Sequence, residues 1–486
     1  MKTSKCKVKT ALFMVIVSTT LCLLATGCQQ TPSEEHIISK TENEHTTTSS
    51  ETNVNSDTHG YTDCFTSLDG SVNIEFQVNN ITEVEKMPNV EVVPHYLTED
   101  EVKTIASLLF GDADFFDARM YTNVPYSKSE IQQRLNRWSQ FANEDSAKSL
   151  YGEGYERRLE TLKKGIEKYT AMYEDAPDEE TRTPTDWKFK KDSFYYYPEG
   201  TTTSENLSAD NDSIMLEVDS GNLQYILHAS KRDSWDFKLS RVSAYLNPKG
   251  SPSQIDTRIF QSMLCRTPEP NEQQIEKLKQ NVEDMLKQMN IGSWHIDQCH
   301  VEKQYYGKNQ EYIVHINAIP VIANTVALRH PQLANLKCDD IYASNYYLTD
   351  AHFEYSANGD LIAFTLSSPI ETKEVSENIP MLGTNELITK AREFLSLADI
   401  HAYDQQGIVQ ALGENVECTL RVSQMNYGLT RVKVPDSDES YYYIPSVAFY
   451  GEITYSDKES GSIYYQSEAN KLLLTLNAAD GTVISG

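Results

Sequence analysis

Apolar residues alternate with polar ones along much of the chain, which predicts a protein built mainly from half-buried strands. The stretch from Ser71 to Val78 is the first such strand, because every second residue in it is apolar. A capping box formed by Thr98 and Glu101 then predicts a helix that starts at Thr98 and ends before Gly111. A strand followed by a helix is therefore the first predicted motif.

The segment from Ser127 to Tyr173 changes to a helical period. Apolar side chains recur at intervals of three and four residues, at Ile131, Leu135 and Trp138, and again at Tyr155, Leu159, Leu162, Ile166, Tyr169 and Tyr173. Two amphipathic helices joined through Asn143 to Gly154 should form an antiparallel hairpin over residues 127–175. Two interpretations of this hairpin stay open: it packs against its own domain, or it protrudes as an arm that binds a partner.

Strand patterns return after Asp175 to Thr185 and predict an antiparallel meander that completes an N-terminal domain over residues 64–260. Its strands are Trp187 to Tyr197, Ile214 to Asp219, Leu223 to Ala229 and Trp235 to Leu246. The Pro-rich stretches Asn247 to Pro252 and Thr267 to Pro270 then predict a linker region.

Two units of a helix followed by strands fill the remainder, at residues 268–375 and 380–486. The first helix turns one face inward through Ile275, Leu278, Val282, Met285, Leu286 and Met289, and its strands are Trp294 to Gln304, Glu311 to Ile319, Asn345 to Ser356 and Asp360 to Ser368. Asn358-Gly359 predicts a type I′ turn in the last hairpin. In the second unit Thr384 should cap the helix, whose inward residues are Leu387, Ala391, Phe394 and Ala398, and the strands are Glu417 to Met425, Tyr441 to Tyr455, Lys471 to Asn477 and Thr482 to Ile484. The predicted fold class is α+β, with repeated helix-on-antiparallel-sheet modules and an inserted helical hairpin in the N-terminal domain.

The N-terminus carries a leader pattern. Four lysines at positions 2, 5, 7 and 9 precede an apolar run from Ala11, which is shorter than the ~20 residues of a membrane-spanning helix and ends at Ala25-Thr26-Gly27-Cys28. This resembles the lipobox of bacterial lipoproteins, in which the cysteine is acylated and becomes the first residue, although the family usually has Leu, Val or Ile where this chain has Ala25. The resemblance implies a signal peptide at 1–27, a lipid on Cys28 and a location on the outer face of the cytoplasmic membrane. Residues 28–63, rich in Ser, Thr, Glu and Asn, should form a disordered tether.

The net charge of the chain restricts the classes of molecule that it can bind. The chain has 43 basic and 71 acidic side chains and a formal net charge of −28. Such a field repels nucleic acid and anionic headgroups, so nucleic-acid binding is excluded and the acyl anchor is the expected membrane attachment. Beyond the leader and Cys28, isolated thiols rather than a disulfide framework are expected at Cys64, Cys265, Cys299, Cys338 and Cys418, because their number is odd and no CxxC occurs.

Two groups of motifs carry a family resemblance. The pattern from Tyr441 to Phe449, followed by Leu474 to Gly481, resembles the closing strands of PepSY-like modules and of extracytoplasmic regulators of the YycH and YycI type. The full layout, with the lipobox, the tether, the stretch Val90 to Lys103 and the helix end Leu109 to Asp112, is similar to a family of large lipoproteins from Gram-positive gut anaerobes. The resemblance implies regulation of a partner by docking and transfers no catalytic residue.

No residue is assigned a catalytic, cofactor or metal role from the sequence. The chain has no GxSxG, HExxH or phosphate-loop motif. His295, Cys299 and His300 form the one cluster typical of a metal site, but on a regular strand His295 and Cys299 share a face that His300 does not, so a strand with a buried cysteine and exposed histidines is the favoured interpretation. Solvated loops are likewise favoured over calcium sites at Asp112, Asp114 and Asp117 and at Pro435 to Ser440, and no metal role is favoured for His36, His45 and His59.

Tyrosine is over-represented, with 29 residues, many in pairs or triplets such as Tyr195 to Tyr197, Tyr305-Tyr306, Tyr346-Tyr347, Tyr441 to Tyr443 and Tyr464-Tyr465. Neighbouring tyrosines on a strand point to opposite faces, so one ring should pack inside and the next should face outward. Sheet stabilisation, a protein interface and glycan stacking all remain open for the outward rings. The predicted function is a surface-anchored, non-catalytic binding or regulatory protein that docks an envelope protein, with a glycan-binding module of the envelope as the alternative.

Overall fold

The computed structural model describes residues 59–119, 124–179, 182–191, 210–220, 223–234, 237–246, 264–265, 268–306, 309–329, 349–398, 400, 407–409, 413–433 and 440–484. The leader, Cys28, the tether up to residue 58, the linker at Asn247 to Pro252, Cys338 and the turn from Pro435 to Glu439 lie outside these residues. So do the tyrosines at 195–197 and 346–347.

The described elements are six α-helices and eighteen strands. The helices are α1 (Glu99–Phe110), α2 (Lys128–Phe141), α3 (Glu144–Tyr151), α4 (Tyr155–Asp175), α5 (Glu272–Met289) and α6 (Thr384–Leu395). The strands are β1 (His59–Thr66), β2 (Val72–Ile81), β3 (Lys86–Pro94), β4 (Asp114–Asp117), β5 (Lys190–Lys191), β6 (Asp210–Ser220), β7 (Leu223–Ser234), β8 (Phe237–Leu246), β9 (Ser293–Tyr306), β10 (Asn309–Ile322), β11 (Thr325–Val326), β12 (Asp350–Ser356), β13 (Leu361–Ser367), β14 (Ile370–Pro380), β15 (Val416–Lys433), β16 (Tyr441–Asp457), β17 (Ile463–Gln466) and β18 (Lys471–Asn477). This composition confirms the predicted α+β class.

One sheet, sheet A, joins the two ends of the described chain. Its strands follow the order β1-β2-β15-β16-β3-β14, and β17 and β18 also pair with β16. β2 runs parallel to β15, with Val72 opposite Cys418. The apolar face of β2, in which Val72, Ile74, Phe76 and Val78 are buried, packs into one core with Leu387 and Ala391 of α6.

The second sheet, sheet B, contains the meander and the strands of the first helix-and-strand unit. Its order is β11-β10-β12-β13-β8-β7-β6-β4, with β5 on β6 and β9 on β10, and neighbouring strands are antiparallel. α1 and α5 cover one face of this sheet and bury its core, to which α5 contributes Leu278, Val282, Leu286 and Met289 as predicted. The other face of sheet B is the subject of the next section.

The pairing of the N-terminal strands differs from the prediction. The strands of residues 64–94 were expected in the same domain as the meander, but β2 and β3 pair in sheet A with strands from residues 370–457, and β1 joins that sheet through β2. The meander β6-β7-β8 instead continues through β13 into the strands of the following unit. Alternation along a strand shows which of its residues are buried, but it does not show which strand pairs with it. The sequence therefore did not reveal that the N-terminal strands and the meander belong to different sheets.

Several local predictions are confirmed and others are wrong. The capping box at Thr98 and Glu101 is present, and α1 ends before Gly111 as expected. The predicted tether end is wrong because β1 begins at His59 and its Tyr61 and Phe65 pack against the core of sheet A. Residues Asp114 to Asp117 form β4 on the edge of sheet B, not a solvated loop.

Two predicted turns and caps also differ. Thr384 is not the cap of α6, because Gly383 takes that position and the Thr384 hydroxyl hydrogen-bonds the Tyr427 hydroxyl at 3.1 Å. The turn at Asn358-Gly359 is not type I′, since that turn needs positive φ at both central residues and Gly359 alone has it here. The hairpin it closes, β12 with β13, is present as predicted.

Candidate functional site: the histidine face of sheet B

The face of sheet B opposite its core carries a band of polar side chains on adjacent strands. We call this the histidine face. It comprises His228 on β7, Ser243 on β8, Thr365 on β13, His352 and Glu354 on β12, His315 and Asn317 on β10, and His300 and Glu302 on β9. Most of these residues are half-buried, and His300 and Glu302 are exposed. Alternation along each strand places them there, because their apolar neighbours fill the core on the opposite face.

The strand register aligns these residues in two rows across the sheet. In one row His300 lies opposite His315, which lies opposite Glu354. In the next row Asn317 lies opposite His352, followed by Thr365, Ser243 and His228 on successive strands. The imidazole rings of His300 and His315 stack with centroids 4.9 Å apart, and those of His315 and His352 are 5.6 Å apart.

A β-bulge in β9 changes the predicted relation of His295, Cys299 and His300. Gln298 lies opposite Asn317, but Ile296 lies opposite Ala318, so Asp297 is the extra residue. The bulge reverses the alternation and places His295 and His300 on one side, while Cys299 turns toward the core beside α5. The expected shared face of His295 and Cys299 is therefore wrong, and these three side chains do not converge on one point.

His315, His352 and Glu354 are the described residues that could together hold a metal ion. One ligand atom from each lies within 4.8 Å of the others. The His352 Nε2 atom is 3.1 Å from Glu354 Oε1, and the His315 Nδ1 atom is 3.9 Å from the same oxygen. Two more side chains hydrogen-bond the ring nitrogens that face away from Glu354. Asn317 Oδ1 is 2.5 Å from His352 Nδ1, and Glu302 Oε2 is 3.0 Å from His315 Nε2.

Charges and burial shift several pKa values on this face. The hydrogen bond with His352 holds the pKa of Glu354 below its usual range, against the opposing effect of burial. Burial and the neighbouring His315 lower the pKa of His300. At the end of β12, burial raises the pKa of Asp350 despite its hydrogen bond with Ser367. The lowered pKa of Glu354 therefore favours the ionised form of this side chain in the middle of the face.

The helical hairpin is attached to one end of the same face through buried charges. Arg119 contacts Glu130 of α2 and Glu217 of β6, and all three side chains are less than a tenth exposed. Arg182 contacts Asp219 and lies 3.7 Å from Glu217. The Tyr126 ring lies under the guanidinium groups of Arg119 and Arg134, 4.4 and 5.0 Å from its centroid, and burial raises the pKa of Tyr126 to about 12.

The other end of the hairpin reaches the far side of sheet B. α3, which connects α2 and α4, contacts β9, six strand positions from β6. Six spacings of about 4.8 Å make roughly 29 Å, and the 21 residues of α4 span about 31 Å at 1.5 Å per residue. The hairpin is thus long enough to cross the sheet, and contacts at both ends favour packing against sheet B over a free arm.

The hairpin differs in one detail from the prediction. The joint from Asn143 to Gly154 contains a third helix, α3, whose Leu150 packs with Trp138 and Leu162 in a small core. The predicted apolar positions of α4 all face this core or are half-buried, while nearly all other residues of the helix are exposed. The period of the sequence therefore identified the correct face, and the extra helix arises because the joint also buries Leu150.

The other sequence candidates lie apart from the histidine face. Asp117 on β4 pairs with Lys190 at 2.6 Å. Tyr441 and Tyr443 are buried, whereas Tyr305 is 64% exposed and Tyr464 is 46% exposed. Cys64 is exposed, Cys299 is half-buried, and Cys265 and Cys418 are buried.

The sequence analysis missed His315, His352 and Glu354. A signal was present, since three strands repeat a polar pair around one apolar residue: His300-Val301-Glu302, His315-Ile316-Asn317 and His352-Phe353-Glu354. Each pair alone is an ordinary outward face of a strand. Only the register of β9, β10 and β12 shows that the three pairs are neighbours.

Comparison with known proteins identifies no family. No protein-family model and no curated protein matches the chain. Among solved structures, the chain is similar to an uncharacterized protein from Eubacterium rectale ATCC 33656, with 9% sequence identity, a TM-score of 0.41, and coverage of 86% of this chain and 92% of that chain. Within the residues described above, no helix has both the length and the apolarity needed to cross a membrane.

Proposed function

We propose that this protein is a lipid-anchored, non-catalytic binding protein on the outer face of the cytoplasmic membrane, and that it docks a protein partner of the cell envelope through the histidine face. The observation that carries this proposal is the face itself, a band of mostly half-buried polar side chains on six adjacent strands, bordered by the attached helical hairpin. Ordered side chains that retain solvent access are suited to polar recognition, because little rearrangement is needed on binding.

The anchoring part of the proposal rests on the leader and on Cys28. A thioether-linked diacylglycerol with an N-acyl chain would supply the two or more chains that stable anchoring needs. Mass spectrometry of the N-terminal peptide from the membrane fraction should find a lipid on Cys28 and no residue before it. Cys28→Ser should abolish the modification. An intact N-terminus on a cytosolic product would reject the location.

The docking part is tested by site-specific photo-crosslinking in intact cells. A photoreactive amino acid at Ser243 or Thr365 places the probe in the middle of the histidine face. The same probe at Lys277, which is exposed on α5 over the opposite face, is the matched control. We expect one reproducible crosslinked protein from both face positions and none from the control. Equal products from all three positions, or none from any, would contradict docking at this face.

The alternative, a glycan-binding module, is favoured by the exposed rings of Tyr305 and Tyr464. Sugar rings stack on exposed aromatic faces, and tyrosine adds a hydroxyl that can hydrogen-bond them. Retention of the purified chain on peptidoglycan or envelope polysaccharide, lost in Tyr305→Ala and kept in Lys277→Ala, would support this function instead. It would also predict that the crosslinks from Ser243 and Thr365 contain no protein partner.

A further inference from the structure

The histidine face contains two imidazole nitrogens and one carboxylate oxygen arranged around a common point. A neutral imidazole has one N–H group and one nitrogen with a free lone pair. With its proton on Nδ1, His352 donates to Asn317 Oδ1 and keeps the Nε2 lone pair for a ligand bond. His315 likewise donates from Nε2 to the carboxylate of Glu302. In these tautomers, which are the forms that a bound metal ion requires, the lone pairs are on His352 Nε2 and His315 Nδ1.

Both of these lone-pair nitrogens face the same oxygen. Glu354 Oε1 lies 3.1 Å from His352 Nε2 and 3.9 Å from His315 Nδ1. Either a proton on His352 Nε2, as in the hydrogen bond with Glu354 described above, or a metal ion can occupy the space between these atoms. Ligand atoms bound to one tetrahedral zinc ion at about 2.0–2.2 Å are about 3.3 Å apart, which is close to these separations.

We propose that His315 Nδ1, His352 Nε2 and a carboxylate oxygen of Glu354 bind one Zn²⁺ ion on the histidine face. The inference goes beyond the proposed function and stands whether or not a protein partner docks there. Asn317 and Glu302 hold the outer nitrogens of the two histidines, which is the arrangement that fixes the tautomer and ring orientation of histidine ligands in zinc sites.

The donor set selects the class of ion. Two imidazole nitrogens and one carboxylate oxygen suit zinc, whereas calcium and magnesium prefer sites made of oxygen atoms only. The side chains of His315, His352 and Glu354 are 13%, 28% and 27% exposed, so a fourth coordination position faces solvent. Three protein ligands with one open position describe a zinc site that can also accept water or a group from another molecule.

The test uses the purified full chain, stripped with a chelator and then titrated with Zn²⁺. We expect one equivalent of bound zinc by metal analysis after dialysis, with a single-site isotherm by calorimetry. His352→Ala and Glu354→Gln should each weaken binding by more than the ~10- to 100-fold typical of losing an outer partner. Asn317→Ala should fall within that smaller range.

His228→Ala is the matched control, because His228 is on the same face but three strands away from His352. It should bind zinc like the unaltered chain. Circular dichroism spectra of all variants should coincide, and substitution with Co²⁺ should give an absorption spectrum of mixed nitrogen and oxygen ligation that His352→Ala loses.

Two results would overturn the proposal. One is the absence of stoichiometric zinc in a chain whose circular dichroism shows it to be folded, which would mean that hydrogen bonds alone hold the two histidines beside Glu354. The other is zinc binding that His352→Ala and Glu354→Gln leave unchanged, which would place the metal elsewhere. Neither result bears on the crosslinking from Ser243 and Thr365, so failure of the zinc site and failure of the docking face are distinguishable.

Discussion

Arg119 and Glu217 are joined by two hydrogen bonds in the interior of the protein. The Arg119 Nη1 atom donates to Glu217 Oε2 at 2.5 Å, and the Arg119 backbone N–H donates to Glu217 Oε1 at 3.1 Å. Because Arg119 also binds Glu130, this pair attaches the helical hairpin to sheet B. The hairpin borders the histidine face, so the pair also fixes one boundary of the proposed binding surface.

Glu217→Ala should destabilise the fold strongly. Removing one partner from a buried ion pair leaves an uncompensated charge and typically costs about 3–5 kcal/mol. Arg119 and Arg182 would both lose a neighbouring carboxylate. Chemical denaturation should give this loss in the free energy of unfolding, and hydrogen exchange should increase in α2 and α4.

The exposed pair of Glu160 and Lys164 in α4 is the control for that change, with side chains 66% and 71% exposed. Lys164→Ala should leave the free energy of unfolding nearly unchanged, since exposed ion pairs contribute little. Equal effects of the two substitutions would show that the buried network does not hold the hairpin.

Gly165→Ala should destabilise the hairpin although alanine is the better helix former. In an exposed helix interior this change gains about 1 kcal/mol. Here an added Cβ would lie 2.2 Å from Cζ3 of Trp138, whose ring is buried between α2 and α4. Overpacking of this kind typically costs about 1–3 kcal/mol, measured by thermal or chemical unfolding.

A double substitution separates packing from propensity at this position. Trp138→Leu removes the ring, so Gly165→Ala in that background should lose its penalty and regain the helix preference of alanine. A Gly165→Ala effect of the same size with and without Trp138 would mean that the close approach of the helices is not its cause.

Leu286→Ala should remove about 2–5 kcal/mol from the free energy of unfolding, because Leu286 is 2% exposed and packs α5 onto sheet B. The neighbouring Lys287 is exposed on the same helix, so Lys287→Ala should change the stability by about 0.5 kcal/mol or less. Denaturant unfolding of both variants checks the assignment of the buried face of α5.

Asp457 should titrate far below an ordinary aspartate. Hydrogen bonds from the Ser460 backbone N–H, the Ser460 hydroxyl and the Tyr464 hydroxyl lower its pKa to about 2. Because the folded pKa is depressed, its contribution to stability is present above the unfolded value of about 3.9 and is lost as the pH falls through about 2. Carboxyl chemical shifts followed by NMR should report this pKa, and Tyr464→Phe should raise it. A midpoint near 3.9 would contradict the turn geometry.

The sequence predicted most helices and strands because their signals are local. The faces of α4 and α5 and the alternation of β2 follow from apolar spacing alone. The capping box of α1 was identified for the same reason, since it needs only Thr98 and Glu101. The cap of α6 was assigned one residue late because Gly383, which has no side chain to donate or accept, takes the position before Thr384.

The sequence did not show which strands pair with each other. β2 and β15 are separated by more than 300 residues, and their parallel pairing is a choice among many compatible strands. The bulge at Asp297 was also not predictable from the sequence. One extra residue in β9 reverses which side chains share a face.

By itself, the sequence determined the α+β class, the buried faces of α4, α5 and β2, and the acidic charge, and it contains the polar pairs at His315 and His352 whose proximity it does not reveal. The tertiary structure alone decided that these pairs are neighbours and that the hairpin borders them. The physical reason is that alternation assigns a residue to a side of its own strand, whereas distances between strands depend on register and pairing, which arise only when the whole sheet forms.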